Sequence, residues 1–464
     1  MQDRVVLGKT PQEVDSRINR ELLTNVLYTE RRYWMIVGFL ALVVALAGGA
    51  IGYMINQGIG VTGLHRPVFW GFMITNFVFW VGISHAGVML SAILRLAQAE
   101  WRRPATRAAE IVTVFALMTA ILFPILHSGR PWRTMYWAFP YDFARGIFPN
   151  VRSPLVWDPT AITTYLTSSI MFVVVALIPD FAVMRDRTKG VAKAIYRVLA
   201  MGWRGTPRQW RLQIVAGFLL SALILPVFVS VHSIVSWDFG VAQSVEAWHS
   251  TVFAPYFVIG AVHSGVSAVV TVMIILRWLF HWENYITKDT IDSLGRLLIV
   301  VATAWFFFFV IEILFSIYTL EDAELALRRM QLWESPYSWL FLTFILTGYF
   351  IPVPLWLFKN VRRSFKWMLI TTILVNIGMW IERFLIIVPG LARKQGLSFS
   401  WSTYHPSIIE VLMVIGSFAF VSMNILLISK VVPLIPLYDV KEGEILKDEF
   451  KIGKATIPAT MREE

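Results

Sequence analysis

His127 closes the third long apolar run of the chain, in Leu126-His127-Ser128-Gly129-Arg130-Pro131-Trp132-Arg133, and Asp158 opens the fourth, in Trp157-Asp158-Pro159. An imidazole and a carboxylate at facing ends of consecutive apolar runs suit proton-coupled chemistry at a membrane surface. The imidazole takes a proton near neutral pH, and the carboxylate orients the ring and stabilises its cation. Asp238 lies at the end of the fifth run, in Ser236-Trp237-Asp238, shortly after His232. Three consecutive runs thus bring an acid or base to one surface. Oxidising a hydroxylated ring removes protons with the electrons and needs such acceptors within hydrogen-bond reach. Polar caps on spans emerging into water are the competing use of the same residues.

The elements that must position these groups are membrane helices. Hydrophobic residues make up 57% of 464 and charged residues 15%. The charges cluster between apolar stretches of about 20 residues or more, the length that crosses ~30 Å of hydrocarbon. Ten spans are expected, at 34–57, 68–95, 107–127, 159–183, 212–236, 249–277, 296–319, 337–358, 366–389 and 406–430. The runs lack the alternation of a membrane barrel, so the fold class is an all-α polytopic membrane protein. A formal net charge of +11 could signal nucleic acid, but its distribution argues otherwise. With the N-terminus inside, 31 Lys and Arg fall on the inner side and nine on the outer, with Arg383 inside a span. This positive-inside asymmetry places both termini in the cytoplasm and directs the excess charge at anionic lipid. The arm 1–33 mixes Arg4, Lys9, Arg17 and Arg20 with Asp3, Glu13, Asp15 and Glu21, which fits a partly amphipathic cytoplasmic helix and no signal peptide; 431–464 forms a cytoplasmic tail. Cysteine is absent, excluding disulfides, thiolate catalysis, Cys-ligated iron–sulfur clusters and Cys-attached haem in this chain.

Ser84-His85-Ala86-Gly87 in span 2 is followed by Arg95, and Val262-His263-Ser264-Gly265 in span 6 by Arg277. An even number of spans separates the copies, which predicts parallel repeats: one four-helix bundle of spans 2–5 (68–236), a second of spans 6–9 (249–389), and spans 1 and 10 outside. The small residues favour close helix approach. Only the first bundle ends span 3 in a histidine, and only it carries a long outer loop, 128–157, with Trp132, Tyr136, Trp137, Phe139, Tyr141, Phe143, Phe148 and Trp157. Within the spans, His85, His263, Glu312, Glu382 and Arg383 are proton-path candidates, because each charged form is costly in hydrocarbon unless paired or hydrated. Packing and mutual neutralisation are their structural alternatives. Glu110 and Asp180 lie near inner ends, where ordinary interfacial groups are common.

The duplicated His-Ala/Ser-Gly element, His-Ser-Gly-Arg-Pro-Trp, Trp157-Asp158-Pro159, and Trp-Ile-Glu-Arg-Phe with Pro389 resemble the polysulfide reductase/NrfD family of integral membrane subunits. The likeness extends over nearly all ten helices and is greatest to the larger quinol-binding membrane subunit of bacterial alternative complex III. It implies a subunit of the bacterial inner membrane, without haem or iron–sulfur cluster, that binds and oxidises menaquinol in the first bundle near the periplasmic face. His127 and Asp158 would be catalytic, Asp238 would help line the pocket, and Arg130 would fix the ring or the loop. Electrons would pass to a periplasmic iron–sulfur subunit and then to multihaem cytochrome c, with a second NrfD-like membrane subunit alongside. Proton translocation through the bundles would use the intramembrane candidates. The resemblance also leaves open a quinone-reducing anchor of a polysulfide-reductase-type complex.

Two other classes compete. A secondary transporter would accommodate parallel repeats and buried ions, but the sequence shows no Gly- or Pro-broken helix pair at matching depths. A dihaem b-type cytochrome would need His pairs at matching depths on facing helices, which eight scattered histidines supply poorly.

Overall fold

The computed structural model describes residues 11–136, 154–243, 245–393, 403–445, 449–452 and 455–458. Ten helices within it are long and apolar enough to cross a membrane. Span 1 is Arg31–Gln57, span 2 Phe72–Leu96, span 3 Arg103–His127, span 4 Pro154–Arg187 and span 5 Pro207–Gly240. Span 6 is Phe253–Phe280, span 7 Lys288–Thr319, span 8 Tyr337–Leu357, span 9 Phe365–Ala392 and span 10 Ile408–Ile428. The chain is a multi-pass helical membrane protein. Beyond the spans, the N-terminal arm forms a helix, Pro11–Leu27, and the tail forms a helix, Leu437–Ile445, followed by a short hairpin pairing Glu449–Ile452 with Ala455–Pro458.

Hydropathy places the spans but misjudges several ends. Span 2 starts at Phe72 instead of residue 68. Spans 4 and 5 extend well past their apolar stretches, so Asp158 lies in the second turn of one helix and Asp238 in the last turn of the other. A helix continues into polar sequence wherever backbone bonding and caps allow, and Thr206 with Gln209 forms a capping box that starts span 5 early.

Spans 2, 3, 4 and 5 contact one another in a circuit, as do spans 6, 7, 8 and 9, and span 2 packs along span 6. Spans 1 and 10 pair with each other beside spans 2 and 3. The crossing of spans 2 and 6 brings the two copies of the sequence motif together. A Cβ on Gly265 would stand 2.8 Å from the Ala86 nitrogen and 3.0 Å from the Ile83 carbonyl. Gly87 performs the same service toward span 3, where its N–H donates to Thr113 Oγ1 at 2.9 Å. Absence of a side chain is what permits both approaches. The hydrogen bonding is not duplicated to match: His85 Nε2 meets the Phe228 carbonyl on span 5 at 3.1 Å, whereas His263 Nε2 meets the Gly348 carbonyl on span 8 at 3.1 Å. Spans 2 and 8 each contain a π-helical segment, Val88–Ile93 and Leu346–Phe350.

At the face opposite His127, the tail closes the first helix group. Val432, Leu434, Ile435 and Leu437 are buried, and Tyr438 stacks on Trp210 at 4.2 Å. Arg103, the first residue of span 3, donates to the Asp439 carbonyl at 2.7 Å and to Glu442 at 2.6 Å. Beneath this cap Arg107 pairs with Asp180 at 3.2 Å and Glu110 at 3.4 Å. Glu110 and Asp180 are therefore buried partners of one guanidinium, a different situation from interfacial groups.

Candidate functional site

Span 3 stops at His127 for local reasons. Gly129 adopts φ +74, a left-handed conformation that only glycine takes without strain, and its N–H caps the Leu126 carbonyl at 2.9 Å. Ser128 Oγ donates to the Ile125 carbonyl at 2.7 Å, and Gly129 packs against Ile59. Asp158 projects from the second turn of span 4. Asp238 is 5% exposed near the end of span 5, where the next residue, Phe239, is wedged against Trp70 (5.3 Å) and Trp248 (5.0 Å). Span 4 contacts both spans 3 and 5 and runs opposite to them, so its first residues and the last residues of spans 3 and 5 lie at one membrane face.

The polar atoms at these ends share one property. His127 Nδ1, Asp158 Oδ1 and Asp238 Oδ1 are each buried without a hydrogen-bond partner among the described residues. Burying such atoms unpaired costs roughly 1–3 kcal/mol apiece, a cost that a hydrogen-bonding ligand removes. No hydrogen bond joins His127 to Asp158 among the described residues. Asp238 lies within electrostatic range of Asp158, so a second carboxylate joins the expected His127 and Asp158 at this face. Arg130 is exposed, with its guanidinium 5.9 Å from the Trp132 ring, and makes no ion pair with either carboxylate among the described residues. Trp132 and Trp157 are themselves exposed; Trp137, Phe139, Tyr141, Phe143 and Phe148 lie outside the described residues.

His232, grouped with the mouth by its sequence position, belongs to the interior. It is fully buried against His85, with ring centroids 4.5 Å apart. Its position six residues before Asp238 puts it ~9 Å deeper along span 5. His85 Nδ1 lies 2.8 Å from the Val81 carbonyl, and Tyr165 is 5.6 Å from the His85 ring.

The second helix group has its own polar interior. Glu382 accepts from Tyr256 Oη and, at 3.0 Å, from Trp305 Nε1, and it pairs with Arg383 at 3.2 Å. The Arg383 guanidinium lies 4.9 Å from the Phe257 ring, and His263 stacks on Trp305 at 5.6 Å. Nearer the His127 face, Glu312 accepts from Ser250 and pairs with Arg328 at 3.3 Å. Tyr256, Glu312, Arg328, Gln331 and Glu382 line a cavity of about 40 Å³, room for a few waters. Sequence reasoning finds Glu312, Glu382 and Arg383 but misses Arg328 and Gln331. Both lie on a short helix, Asp322–Trp333, whose polar composition reads as a loop. Its signal is available in the apolar spacing of Ala323, Leu327 and Met330, which is that of an amphipathic helix. No group of three or more side chains suited to holding a metal ion occurs among the described residues.

Comparison with known proteins places this arrangement. The chain is 26% identical over 284 residues to the membrane subunit of a putative dimethyl sulfoxide reductase of Halobacterium salinarum; the match covers 61% of this chain and 60% of that one. It is 22% identical to a selenate reductase subunit of Mesobacillus selenatarsenatis, over 90% of this chain and 96% of the relative. It is 23% identical to an Hdr-like menaquinol oxidoreductase integral membrane subunit of Archaeoglobus fulgidus, over 89% and 96%. The chain thus spans about three fifths of the length of the halobacterial relative and nearly all of the other two. The family described as polysulphide reductase, NrfD, matches residues 60–394, which take in spans 2–9 and every site residue above. The chain belongs to the polysulphide reductase NrfD family.

Proposed function

We propose that this protein is the menaquinol-binding and menaquinol-oxidising membrane subunit of a multisubunit oxidoreductase. The carrying observation is the set of buried acceptors at three helix ends on one membrane face, His127 Nδ1, Asp158 Oδ1 and Asp238 Oδ1, unpartnered among the described residues. A quinol has two hydroxyl protons to lose. One O–H donates to His127 Nδ1 and the other to the Asp158–Asp238 pair, so each proton has an acceptor as the ring gives up two electrons. The electrons pass one at a time to an iron–sulfur subunit docked on this face, and from there to multihaem cytochrome c. Arg130, exposed at the rim, holds the loop or meets the ring as it enters.

The positive-inside charge distribution supports placing this face outside the cytoplasmic membrane of a bacterium, with both termini inside. Protons then leave on the outer side. Translocation would use His85, His263, Glu312, Glu382 and Arg383, now joined by His232, Tyr256 and Arg328. An assembly of the alternative complex III type, with a second related membrane subunit, is the fuller form of this reading. Ten spans do not by themselves select it, since relatives with other names match over nearly their whole length. The names of the halobacterial and selenate-reductase relatives favour a second reading, the membrane anchor of a reductase-type complex.

The test is quinol-dependent electron transfer in the purified complex. His127→Ala and Asp158→Ala should leave assembly intact and strongly reduce menaquinol oxidation; near-normal turnover in both would sink the assignment. Copurifying multihaem cytochrome c spectra would select the first assembly, and a terminal reductase without them the second.

A further inference from the structure

A second, chemically different cavity lies away from the polar mouth. It holds about 460 Å³ between spans 2, 6, 9 and 10, with walls that include Trp80, Ile83, Ile275, Ile377, Phe418 and Ser422. Ile275, Ile377 and Phe418 are each more than 40% exposed, so the cavity opens sideways toward the bilayer. Trp80 Nε1 and Thr271 on its walls bond within the protein, to Ser417 at 2.9 Å and to Thr372 at 2.8 Å. Asn376 Nδ2 donates to the Thr372 carbonyl at 2.8 Å, which leaves Asn376 Oδ1 as a buried polar atom without a partner among the described residues, too few polar groups to hold a water. A cavity so apolar does not hold water, and leaving it void forfeits packing. Hydrocarbon is what remains.

Its dimensions select a single chain. Along span 10 the lining runs from Val414 to Ile425, a rise of ~16 Å, close to half of a ~30 Å hydrocarbon core. Spreading 460 Å³ over that length leaves a crevice on the order of 9 Å between its walls, short of the ~10–12 Å that a helix with its side chains needs. Cations gather where the crevice approaches the face opposite His127. Arg277 follows Ile275 on span 6, Lys430 follows the end of span 10, and Arg32 sits 3.8 Å over the exposed Trp278. Lys430 Nζ lies 4.4 Å from the Tyr33 ring and donates to the Tyr28 carbonyl at 3.1 Å. The facing acidic groups are Glu283, 3.8 Å from Arg277, and Glu30, which acts on Lys430.

We infer that this crevice is a lipid site that seats one acyl chain of an anionic phospholipid, with the headgroup held by Arg277, Lys430 and Arg32. Charge at the rim sets the headgroup preference, and width and length set the chain. The site is on the other side of span 2 from the first group's interior and stands independently of the quinol assignment.

The test uses the full chain in its native complex, in vesicles carrying phosphatidylglycerol or phosphatidylcholine with the same photoactivatable acyl chain. Phosphatidylglycerol should label peptides containing Ile275, Ile377 and Phe418 roughly fivefold or more above phosphatidylcholine, since each basic residue near a headgroup favours the anionic lipid by about that factor. Lys430→Gln, alone or with Arg277→Gln, should bring the two lipids together without abolishing labelling. Ser422→Trp and, separately, Ile377→Trp should block labelling by both while leaving the lipid-facing Phe39 and Leu42 of span 1 labelled as before. The inference is overturned if the crevice is labelled no more than span 1, if the two lipids label the unmodified protein equally, or if the intact complex excludes both because another subunit fills the crevice.

Discussion

His85 of span 2 and His232 of span 5 face each other at 67° with ring centroids 4.5 Å apart, yet only one of the two rings is tied down. Both His85 nitrogens lie on backbone carbonyls, while neither His232 nitrogen has a partner among the described residues. A neutral imidazole has one N–H, so His85 has bonding capacity for a second proton and His232 is uncommitted. Removing each ring should therefore have a different effect. His85→Ala loses the tie to span 5 and should lower stability by about 1–3 kcal/mol. His232→Leu removes unpaired polar atoms and should leave the melting temperature unchanged or raised, while slowing quinol turnover if the pair carries protons. Thermal unfolding followed by tryptophan fluorescence separates the two; equal losses would contradict the asymmetry.

The Asp158–Asp238 relationship predicts non-additive kinetics. Asp158→Asn and Asp238→Asn should each reduce quinol oxidation about 10²-fold or more, as loss of a positioned base does. The double variant should lose much less than the product of the two, because residues acting as one acceptor cannot be removed twice. Purely multiplicative losses in steady-state rates would separate them into independent roles.

Within the second group, Glu382 and Arg383 are buried together. Glu382→Ala should destabilise by about 3–5 kcal/mol, because it strands a guanidinium and leaves Tyr256 and Trp305 without their acceptor. Glu382→Ala combined with Arg383→Met should recover a substantial part of that loss. The double-mutant cycle is measured by denaturation in detergent, and absence of recovery would mean the pair is not mutually neutralising.

Much of this arrangement is visible in the sequence, and the remainder is hidden for a definable reason. Hydropathy reports depth, so it places ten spans and sets His127 and Asp158 at one face. It carries no information on which helix faces which. His232 thus looks like part of the mouth, and Glu110 and Asp180 like interfacial groups; each owes its true setting to a neighbour far away in sequence. The repeated glycines are legible because close approach constrains residue type directly. Arg328 is not, because a short polar helix between two spans resembles a loop.

Gly265 offers the sharpest packing test. Its Cβ site is occupied by backbone of span 2, which cannot swing aside as a flexible side chain can. Gly265→Val should cost about 1–3 kcal/mol or more from overpacking, whereas Gly38→Val, with nothing within 4 Å of its Cβ site, should cost little. Comparable losses in thermal stability would mean spans 2 and 6 do not cross there.

Outside the spans, Glu324 gives a pH-dependent prediction. Burial, then the charges of Glu312 and Glu321, push its carboxyl above the ordinary value of 4.5, against the pull of Arg328. A carboxyl raised in the folded state contributes stability that is present below its ordinary value and lost as pH rises through the folded value. Glu324→Gln should therefore melt higher than the parent at neutral pH, with the difference vanishing below about pH 4. A difference that is constant across pH would assign the effect to packing.

The tail that closes the first helix group has a consequence for biogenesis. Arg103 finds its partners Asp439 and Glu442 more than three hundred residues later in the chain. Spans 2–5 are synthesised and inserted long before those partners leave the ribosome, so the Arg107–Glu110–Asp180 cluster must wait uncovered in the meantime. Completion of the earliest-made half is thus deferred to the last-made residues. A chain cut short near its end would fail in its first half, with the second half already in place.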